Sequence, residues 1–305
     1  AKIAKFLTKL LWRRFFAVFC ACRGNFVPLA YMNETQQDYQ TELIMLGTGS
    51  AFPRRSYNAC FIVRTPGLLW LTDGGGGNGI FEALKRAGVA PGEIRHLFVT
   101  HAHTDHILGI VWVLRSLVNM AIEGRYDGKV NVYANGPTAD ALVEICRLTF
   151  LKSYFDMLLE IMALHVVAPG DSLSVEDVEI SFFDTGSENV AQTGYMMTLP
   201  SGRTFATLGD EALTERNAAR VRGVDYLLCG AFCRYADREV FRPYEKHHFT
   251  VKDVAEVAEN AGLRTLIIFH SEDVTPDKGE AYAAEASRYF SGRVVIPADG
   301  DRLEL

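Results

Sequence analysis

Residues 42–305 alternate between short apolar runs and longer segments with a helical apolar period. The short runs predict buried strands, and the longer segments predict helices that cover them. Strands are predicted at 43–46, 60–64, 68–71, 96–100, 130–134, 178–183, 194–199, 204–208, 226–229, 266–269 and 294–296, and helices at 80–87, 107–122, 139–150, 214–222, 251–261 and 279–290. The stretch 154–164 is apolar without deciding between helix and strand. Alternating strands and helices are typical of an α/β domain.

The N-terminal residues 1–31 have a different pattern and form a separate, basic amphipathic extension. Lys2, Lys5 and Lys9 fall near one face of a predicted helix, with apolar residues on the other face. The apolar run at 15–22 is too short to span a bilayer. Three interpretations remain open: a helix in contact with a membrane surface, a targeting peptide, or a helix packed on a partner subunit. The polar residues 32–41 are predicted to be a linker.

Charge is unevenly distributed between this extension and the rest of the chain. The whole sequence has 31 Lys and Arg against 37 Asp and Glu, a formal net charge of −6. The extension holds six of the basic residues and no acidic ones, so the remainder carries 25 basic and 37 acidic residues, a net charge of −12. An acidic body is a poor electrostatic partner for a polyanion. No nucleic acid polymer is therefore expected as a partner, and a small-molecule ester is favoured as the substrate.

The cysteine content predicts a reducing environment. Six cysteines in 305 residues do not make a disulfide scaffold. Cys229 and Cys233 have a spacing that suits a metal, but they are interpreted as small apolar side chains at a strand end. A cytoplasmic location is predicted, and the N-terminal extension leaves export or membrane association open.

The densest candidate chemistry is the run His101-Ala102-His103-Thr104-Asp105-His106. It follows the predicted strand at 96–100 and precedes the predicted helix at 107–122, which places four potential metal ligands on the loop between them. Open α/β sheets usually have their sites at the carboxyl ends of strands. Imidazole and carboxylate groups suit zinc and neutralise a divalent cation. The run therefore predicts a metal site.

This run resembles the HxHxDH signature of the metallo-β-lactamase fold. Residues 46–53 (LGTGSAFP) resemble the opening strand and glycine turn of the branch that contains RNase Z, cyclic-nucleotide phosphodiesterases and some arylsulfatases. Residues 70–75 (WLTDGG) resemble the Asp-Gly strand end of the same fold. The resemblance covers residues 42–305 and implies one hydrolase domain, an αββα sandwich with two mixed sheets between helices. It also implies a homodimer.

The resemblance implies two divalent cations, with zinc expected first and manganese or iron as alternatives. One ion would be held by His101, His103, the bridging carboxylate Asp210 and a third residue. The other ion would be surrounded by four ligands: Asp105, His106, Asp210 and His270.

The sequence departs from the family pattern at the third ligand of the first ion. The family has a histidine there, a few residues before a Gly-Tyr pair, whereas this chain has Asp184 before Gly194-Tyr195. We interpret Asp184 as an oxygen ligand, which would shift the preference towards manganese, iron or magnesium. The alternative is that Asp184 starts a turn with Gly186.

His248 and Thr250 match a His-x-Thr pattern that RNase Z-like enzymes carry before an Ala-rich helix. The resemblance implies that His248 stabilises the leaving group, while Thr250 also suits a helix N-cap. The glutamate that partners this histidine in RNase Z is missing from residues 229–232. The Gly/Pro-rich basic arm that grips tRNA in bacterial RNase Z is missing from residues 151–175. Both departures weigh against tRNA 3′ processing.

The expected function is hydrolysis of a small phosphodiester, cyclic nucleotides included, by a water that bridges the two ions. Asp105 is the residue expected to position that water, and His248 is expected to act on the leaving group. An arylsulfatase or a lactonase on the same fold are alternatives. A further alternative is a catalytically degenerate metal-binding protein, because one histidine ligand and the glutamate are replaced.

Overall fold

The computed structural model describes residues 40–305 of the chain, so the extension predicted at 1–31 lies outside the described residues. The strands are β1 Glu42–Gly47, β2 Cys60–Arg64, β3 Leu69–Thr72, β4 His96–Val99, β5 Val130–Ala134, β6 Met162–Val166, β7 Ser172–Val175, β8 Val178–Asp184, β9 Thr193–Thr198, β10 Thr204–Ala212, β11 Tyr226–Gly230, β12 Thr265–Phe269, β13 Arg293–Val295 and β14 Arg302–Glu304. The helices are α1 Ile80–Arg86, α2 Thr104–Ile122, α3 Gly136–Thr149, α4 Lys152–Ile161, α5 Arg238–Phe241, α6 Val251–Asn260 and α7 Lys278–Ala286.

These strands form two seven-stranded sheets of similar design. The first has the order β14-β1-β2-β3-β4-β5-β6 and the second the order β13-β12-β11-β10-β9-β8-β7. In the first sheet β14 to β3 pair antiparallel and β3 to β6 pair parallel. The second sheet is likewise parallel from β13 to β10 and antiparallel from β10 to β7. Both sheets are mixed, as expected from the sequence.

Three apolar layers hold the helices and sheets together. In β1, Leu43 and Met45 point into a layer between the two sheets, whereas Ile44 and Leu46 point into a layer beneath α1 to α4. A third layer lies between the second sheet and the helices α6 and α7. Because central strands are covered on both faces, they are apolar at successive positions, which is why they were recognised as short continuous runs. The αββα sandwich is confirmed.

The layer between the sheets is rich in aromatic rings. Phe98 of the first sheet packs edge-to-face on Tyr195 of the second, with ring centroids 5.1 Å apart, and Phe61 packs on Phe205 at 6.0 Å. Aromatic pairs in such geometry add about 0.5–1.5 kcal/mol beyond the burial of their area. The rings therefore fix how the edges of the two sheets, where the candidate site lies, face each other.

Helix α2 begins three residues earlier than the sequence predicted. Its N-cap is His103, whose carbonyl accepts from the N–H groups of His106 and Ile107 at 3.1 and 3.0 Å. Asp105 and His106 therefore lie in the first helical turn, and our placement of them on the loop is wrong. A carboxylate is favourable there because it faces the positive end of the helix dipole. By length and composition α2 is apolar enough to cross a membrane, but 56% of that window is buried in the protein.

The start of α2 is pressed against the Asp-Gly turn that follows β3. Gly109 N–H donates to the carbonyl of Gly75 at 2.8 Å, and Gly74 N–H donates to the carbonyl of His106 at 2.9 Å. A Cβ atom on Gly109 would lie 1.7 Å from the carbonyl oxygen of Gly74, so only glycine permits this approach. The contact joins the metal-ligand run to the end of the neighbouring strand.

The helix predicted at 214–222 is wrong. Strand β10 continues to Ala212, and the segment after it contains only a single 3₁₀ turn at Ala218–Arg220. Asn217 accounts for the difference, because its buried amide donates to the carbonyls of Ala212 and Thr185, both at 3.0 Å. Such side-chain bonds to the backbone compete with helix formation.

Two edge strands, β7 and β14, were not predicted, because their residues are mostly exposed and lack an apolar run. The ambiguous stretch at 154–164 divides between α4 and β6.

Candidate metal centre

Candidate ligands from both sheets meet at one edge of the sandwich. His101 follows β4 of the first sheet, Asp210 lies near the end of β10, and His270 follows β12 of the second sheet. Carboxyl ends of parallel strands open at the same edge, which explains how segments this far apart in sequence converge. Among the described residues, two groups of ligand atoms lie within 4.8 Å of one another: His101, His106 and Asp210, and Asp105, His106 and His270.

The second group surrounds a point between α2 and the end of β12. The Oδ2 atom of Asp105 lies 3.4 Å from His106 Nε2 and 3.6 Å from His270 Nε2. Asp210 Oδ2 lies 3.8 Å from each of the same two nitrogens. Asp105, His106 and His270 form the group, and Asp210 lies close to both of its imidazoles. Imidazole nitrogens and carboxylate oxygens are a donor set that suits zinc.

The first group shares His106 with the second. His101 Nε2 is 3.8 Å from Asp210 Oδ2 and 2.9 Å from His103 Nδ1. Asp210 Oδ2 therefore lies at 3.8 Å from a nitrogen of His101 as well as from those of His106 and His270. A carboxylate that faces both groups is suited to bridge two cations, which screens the repulsion between them.

The buried nitrogens of this cluster lack partners within the described part of the chain. His106 Nε2 and both ring nitrogens of His270 are inaccessible and form no hydrogen bond. Leaving such groups unsatisfied costs about 1–3 kcal/mol each, so an absent partner is expected. A divalent cation satisfies imidazole nitrogens directly, and the residues present fit one.

Asp73 orients the ligands from behind. Its carboxylate accepts from Thr100 N–H at 2.9 Å and Thr100 Oγ1 at 2.8 Å, and its Oδ2 lies 2.7 Å from His106 Nδ1. A proton on Nδ1 of His106 is thereby held towards Asp73, and Nε2 is left facing the cluster. Carboxylate–histidine pairs of this kind fix the tautomer and raise the basicity of a metal ligand. Thr100 Oγ1 also lies 2.9 Å from His101 Nδ1.

The role of Asp73 was not inferred from its residue type. It belongs to the Asp-Gly run that suggested the fold, and its place at the end of β3, beside β4, was the available signal.

Gln192 holds the carboxylate of Asp210, and no sequence pattern indicated this contact. Its buried Nε2 donates to Asp210 Oδ1 at 2.7 Å and to the carbonyl of Leu208 at 3.0 Å. One oxygen of Asp210 is thus fixed, and the other is left to face His101, His106 and His270.

The ionisable side chains of the cluster shift one another's pKa values. Burial raises the pKa of Asp210, but His101, His270 and His106 together outweigh burial and lower it below its usual range. Burial and the neighbouring His106 lower the pKa of His101 to about 4, so its ring is neutral at pH 7. Burial also disfavours a charge on His106, yet Asp73, Asp105 and Asp210 raise the pKa of His106 well above 6.5. A cation bound at His106 Nε2 must displace that proton.

Asp184 does not join either group. Its side chain is exposed at the end of β8, and its Oδ1 accepts from Gly186 N–H at 2.9 Å. This is the geometry of the alternative that we gave for Asp184, a residue that starts a turn. The first group therefore consists of His101, His106 and Asp210, and the exposed His103 contacts His101 but belongs to neither group.

His248 lies at the outer side of the cluster. Its ring centroid is 5.6 Å from that of His270, and it stacks on Phe232 at 5.1 Å with the planes 7° apart. Burial and the neighbouring His270 lower the pKa of His248 to about 4, so it is neutral at pH 7. Thr250 caps α6 through a capping box with Asp253, which accounts for its place in the sequence.

A model of the family described as anti-Pycsar protein Apyc1 matches residues 41–226, more than half of this chain. The chain belongs to the Apyc1 family. The matched range includes the run His101–His106 and Asp210 and ends before His248 and His270.

Other comparisons place the Apyc1-family chain in the RNase Z and phosphodiesterase branch of the metallo-β-lactamase fold. It is 33% identical over 277 residues to ribonuclease Z of Methanothermobacter thermautotrophicus, covering 75% of this chain and 86% of the relative. Its fold matches the metallo-β-lactamase fold protein YhfI from Bacillus subtilis with a TM-score of 0.70, at 18% identity, over 88% and 100% of the two chains. It also matches a diphosphatase of the PhnP family with a TM-score of 0.66, at 20% identity, over 88% and 98%.

These relationships make this Apyc1-family protein a metallo-β-lactamase-fold hydrolase. The fold implies divalent metal binding, and the unpartnered nitrogens of His106 and His270 agree with it.

Replacing Asp73 by asparagine is expected to weaken metal binding without removing a ligand. The amide loses the charge that orients His106, so affinity for Zn²⁺ should fall about 10–100-fold. The measurement is competition with a fluorescent chelator. Asp177→Asn is the matched control, because Asp177 also accepts from a threonine hydroxyl and a backbone N–H but lies near Thr65 and Gly67. Equal affinity of Asp73→Asn and wild type would contradict the assignment.

Replacing Asp210 by alanine is expected to reduce the number of bound ions, because the Asp210 carboxylate faces His101, His106 and His270 together. Elemental analysis after dialysis should find fewer ions per chain than in the wild type. Asp184→Ala is the comparison variant and should keep the wild-type number, since its carboxylate is bonded to Gly186. Loss of metal in Asp184→Ala, with retention in Asp210→Ala, would reverse the two roles.

Proposed function

We propose that this protein hydrolyses small phosphodiesters, with cyclic nucleotides as the leading substrates, at a centre of two divalent cations. Zinc is the favoured metal, and manganese or iron are alternatives. The observation that carries the proposal is that two ligand groups share His106 and that Asp210 Oδ2 lies 3.8 Å from a nitrogen of His101, His106 and His270, with buried imidazole nitrogens that lack partners. A pair of divalent cations about 3.5–4 Å apart activates water and stabilises both oxygens of an in-line displacement at phosphorus.

Asp105 is suited to hold the attacking water. Burial raises the pKa of this carboxylate, but the rings of His106 and His270, 3.4 and 3.6 Å from its Oδ2, keep it well below its usual range. Asp105 is therefore ionised at neutral pH and accepts hydrogen bonds only. Its place in the first turn of α2 fixes the direction of the carboxylate relative to Asp210. In this proposal it accepts a hydrogen bond from the water and aligns it with the phosphorus atom.

His248 is suited to act on the substrate rather than on the cations. Its ring is neutral, lies beside His270 and borders two cavities, one of about 390 Å³ and one of about 520 Å³. A neutral imidazole has one N–H to donate. We assign that N–H to a phosphoryl oxygen or to the leaving oxygen, whose charge increases in the transition state.

Two features favour a small substrate over RNA. Residues 32–305 carry a net charge of −12, which opposes binding of a polyanion. The region where bacterial RNase Z enzymes carry a basic arm is occupied here by α4 and the short strands β6 and β7. RNA processing remains the second candidate, because the Methanothermobacter thermautotrophicus relative is named ribonuclease Z.

A substrate panel tests the proposal. Protein stripped with a chelator and reloaded with Zn²⁺ or Mn²⁺ should hydrolyse bis-p-nitrophenyl phosphate and 3′,5′-cyclic nucleotides, and the stripped protein should not. A precursor tRNA, p-nitrophenyl sulfate and a lactone are the competing substrates. Cleavage of the precursor tRNA without turnover of any small phosphodiester would contradict the proposal, as would preference for the sulfate or the lactone.

Replacing His248 by alanine is expected to lower kcat about 10²–10⁴-fold, because a proton donor to the transition state is lost. The number of bound ions should not change, since His248 is assigned to the substrate. Steady-state kinetics and elemental analysis measure the two quantities on the same sample. His165→Ala is the control, because His165 lies on β6 and its Nε2 contacts Asn131. A full loss of metal in His248→Ala would identify it as a ligand instead.

A further inference from the structure

A cavity of about 520 Å³ opens next to the candidate metal centre, at His248. Its volume is in the range of small-molecule sites in proteins. Its lining includes Phe52, Arg54, Phe232, Phe241, Lys246 and His248. None of the candidate metal ligands lines the cavity.

One wall of this cavity is a continuous series of aromatic rings. It begins at His248, 5.6 Å from His270, and continues to Phe232, which stacks on His248. Phe241 then packs edge-to-face on Phe232 with ring centroids 6.0 Å apart. The rings lead outward from the centre at which the phosphoryl group is proposed to react.

Phe52 also lines the cavity and is almost fully exposed, at 94%. An exposed phenylalanine forgoes about 1.5–3 kcal/mol of burial, so it does not serve the folded core. The loop that carries it is nevertheless fixed. The carboxylate of Asp273 accepts from the N–H groups of Arg54, Arg55 and Ser56 at 2.6, 2.5 and 3.1 Å.

Asp273 lies three residues after His270, so the loop of Phe52 and the candidate ligand are held by one segment. The structure therefore places an exposed aromatic ring at a set distance from the metal centre.

Two cationic and two anionic side chains line the cavity. The two carboxylates accept hydrogen bonds from the protein: Asp273 as described, and Glu272 from Val274 N–H, Thr275 N–H and the Tyr282 hydroxyl. Lys246 lies 5.4 Å from the Phe232 ring centroid, and Arg54 is the other cationic side chain of the lining. Aromatic rings combined with cationic side chains are the combination that binds bases and phosphates of nucleotides.

We propose that this cavity is the nucleobase subsite of the enzyme, in which Phe52 and the Phe232 side stack on the base of a nucleotide phosphodiester. The inference rests on the proposed function and specifies its substrate class. The neighbouring cavity of about 390 Å³ is lined largely by charged and polar groups, among them Glu188, Glu211 and Arg216, and is less suited to a planar ring. Stacking has little base preference, so purine and pyrimidine nucleotides are both accepted.

The test uses nucleosides, which contain the base and no phosphate, so that binding does not require hydrolysis or a phosphate–metal contact. Adenosine, guanosine, cytidine and uridine are titrated into the full chain, and Kd is measured by saturation-transfer NMR. Phe52→Ala is expected to raise Kd about tenfold, the effect of one lost stacking contact. Phe52→Tyr keeps the ring and should retain wild-type affinity.

Leu148→Ala is the matched control. Leu148 is also an exposed apolar side chain, at 67%, but lies on α3 away from the cavity lining. Its replacement should leave nucleoside affinity unchanged. Because Phe52 is exposed, its removal is not expected to impair folding, and thermal unfolding of both variants verifies this.

The outcomes separate this inference from the proposed function. Nucleoside binding that depends on Phe52, in a protein that turns over no phosphodiester, supports the subsite and contradicts the hydrolase proposal. Turnover of cyclic nucleotides with a KM unchanged by Phe52→Ala overturns the subsite alone. No detectable binding of any nucleoside to the wild type, or equal binding to wild type and Phe52→Ala, overturns it as well.

Discussion

The candidate site depends on one buried carboxylate, that of Asp73. It binds the backbone and hydroxyl of Thr100 and the ring of His106, so it joins the end of β3 to the residues that follow β4. A buried carboxylate is costly unless it is fully hydrogen-bonded, and here those bonds are made by residues that also position ligands. The close approach of Gly74 and Gly109 brings the same segments together. The free-energy cost of burying Asp73 is thereby offset by its hydrogen bonds with Thr100 and His106, which form only when the run that carries the ligands is folded in this way.

Polar contacts between the two sheets complete the site. Thr193 N–H at the start of β9 donates to the carbonyl of Thr100, and Gln192 beside it holds Asp210. The ligands of the first sheet and the Asp210 carboxylate of the second are therefore linked through two adjacent residues. Asp184 turns towards Gly186 and belongs to neither ligand group.

Most of the secondary structure and most of the candidate ligands were predictable from the sequence, for local reasons. The strands β2 and β12 are continuous apolar runs because both of their faces are covered. Helix α6 begins at a capping box and ends before Gly262, both of which are readable signals. The candidate ligands that the structure brings together lie at or just after strand ends. Histidine and aspartate packed as densely as in His101–His106 are typical of a metal site, so they could be recognised from the sequence.

The tertiary structure decided those features of the fold and the site that depend on contacts between residues distant in the chain. The amide of Asn217 prevents the helix predicted at 214–222, because it bonds to the carbonyls of Ala212 and Thr185. Gln192 holds Asp210, 18 residues away, and Asp73 holds His106, 33 residues away. No local sequence pattern encodes these contacts. The sequence by itself determined the α/β order, the fold family and the types of ligand atoms. Only folding decided which of those atoms face a common point, because side-chain direction at a strand end is set by packing between the sheets and not by residue type.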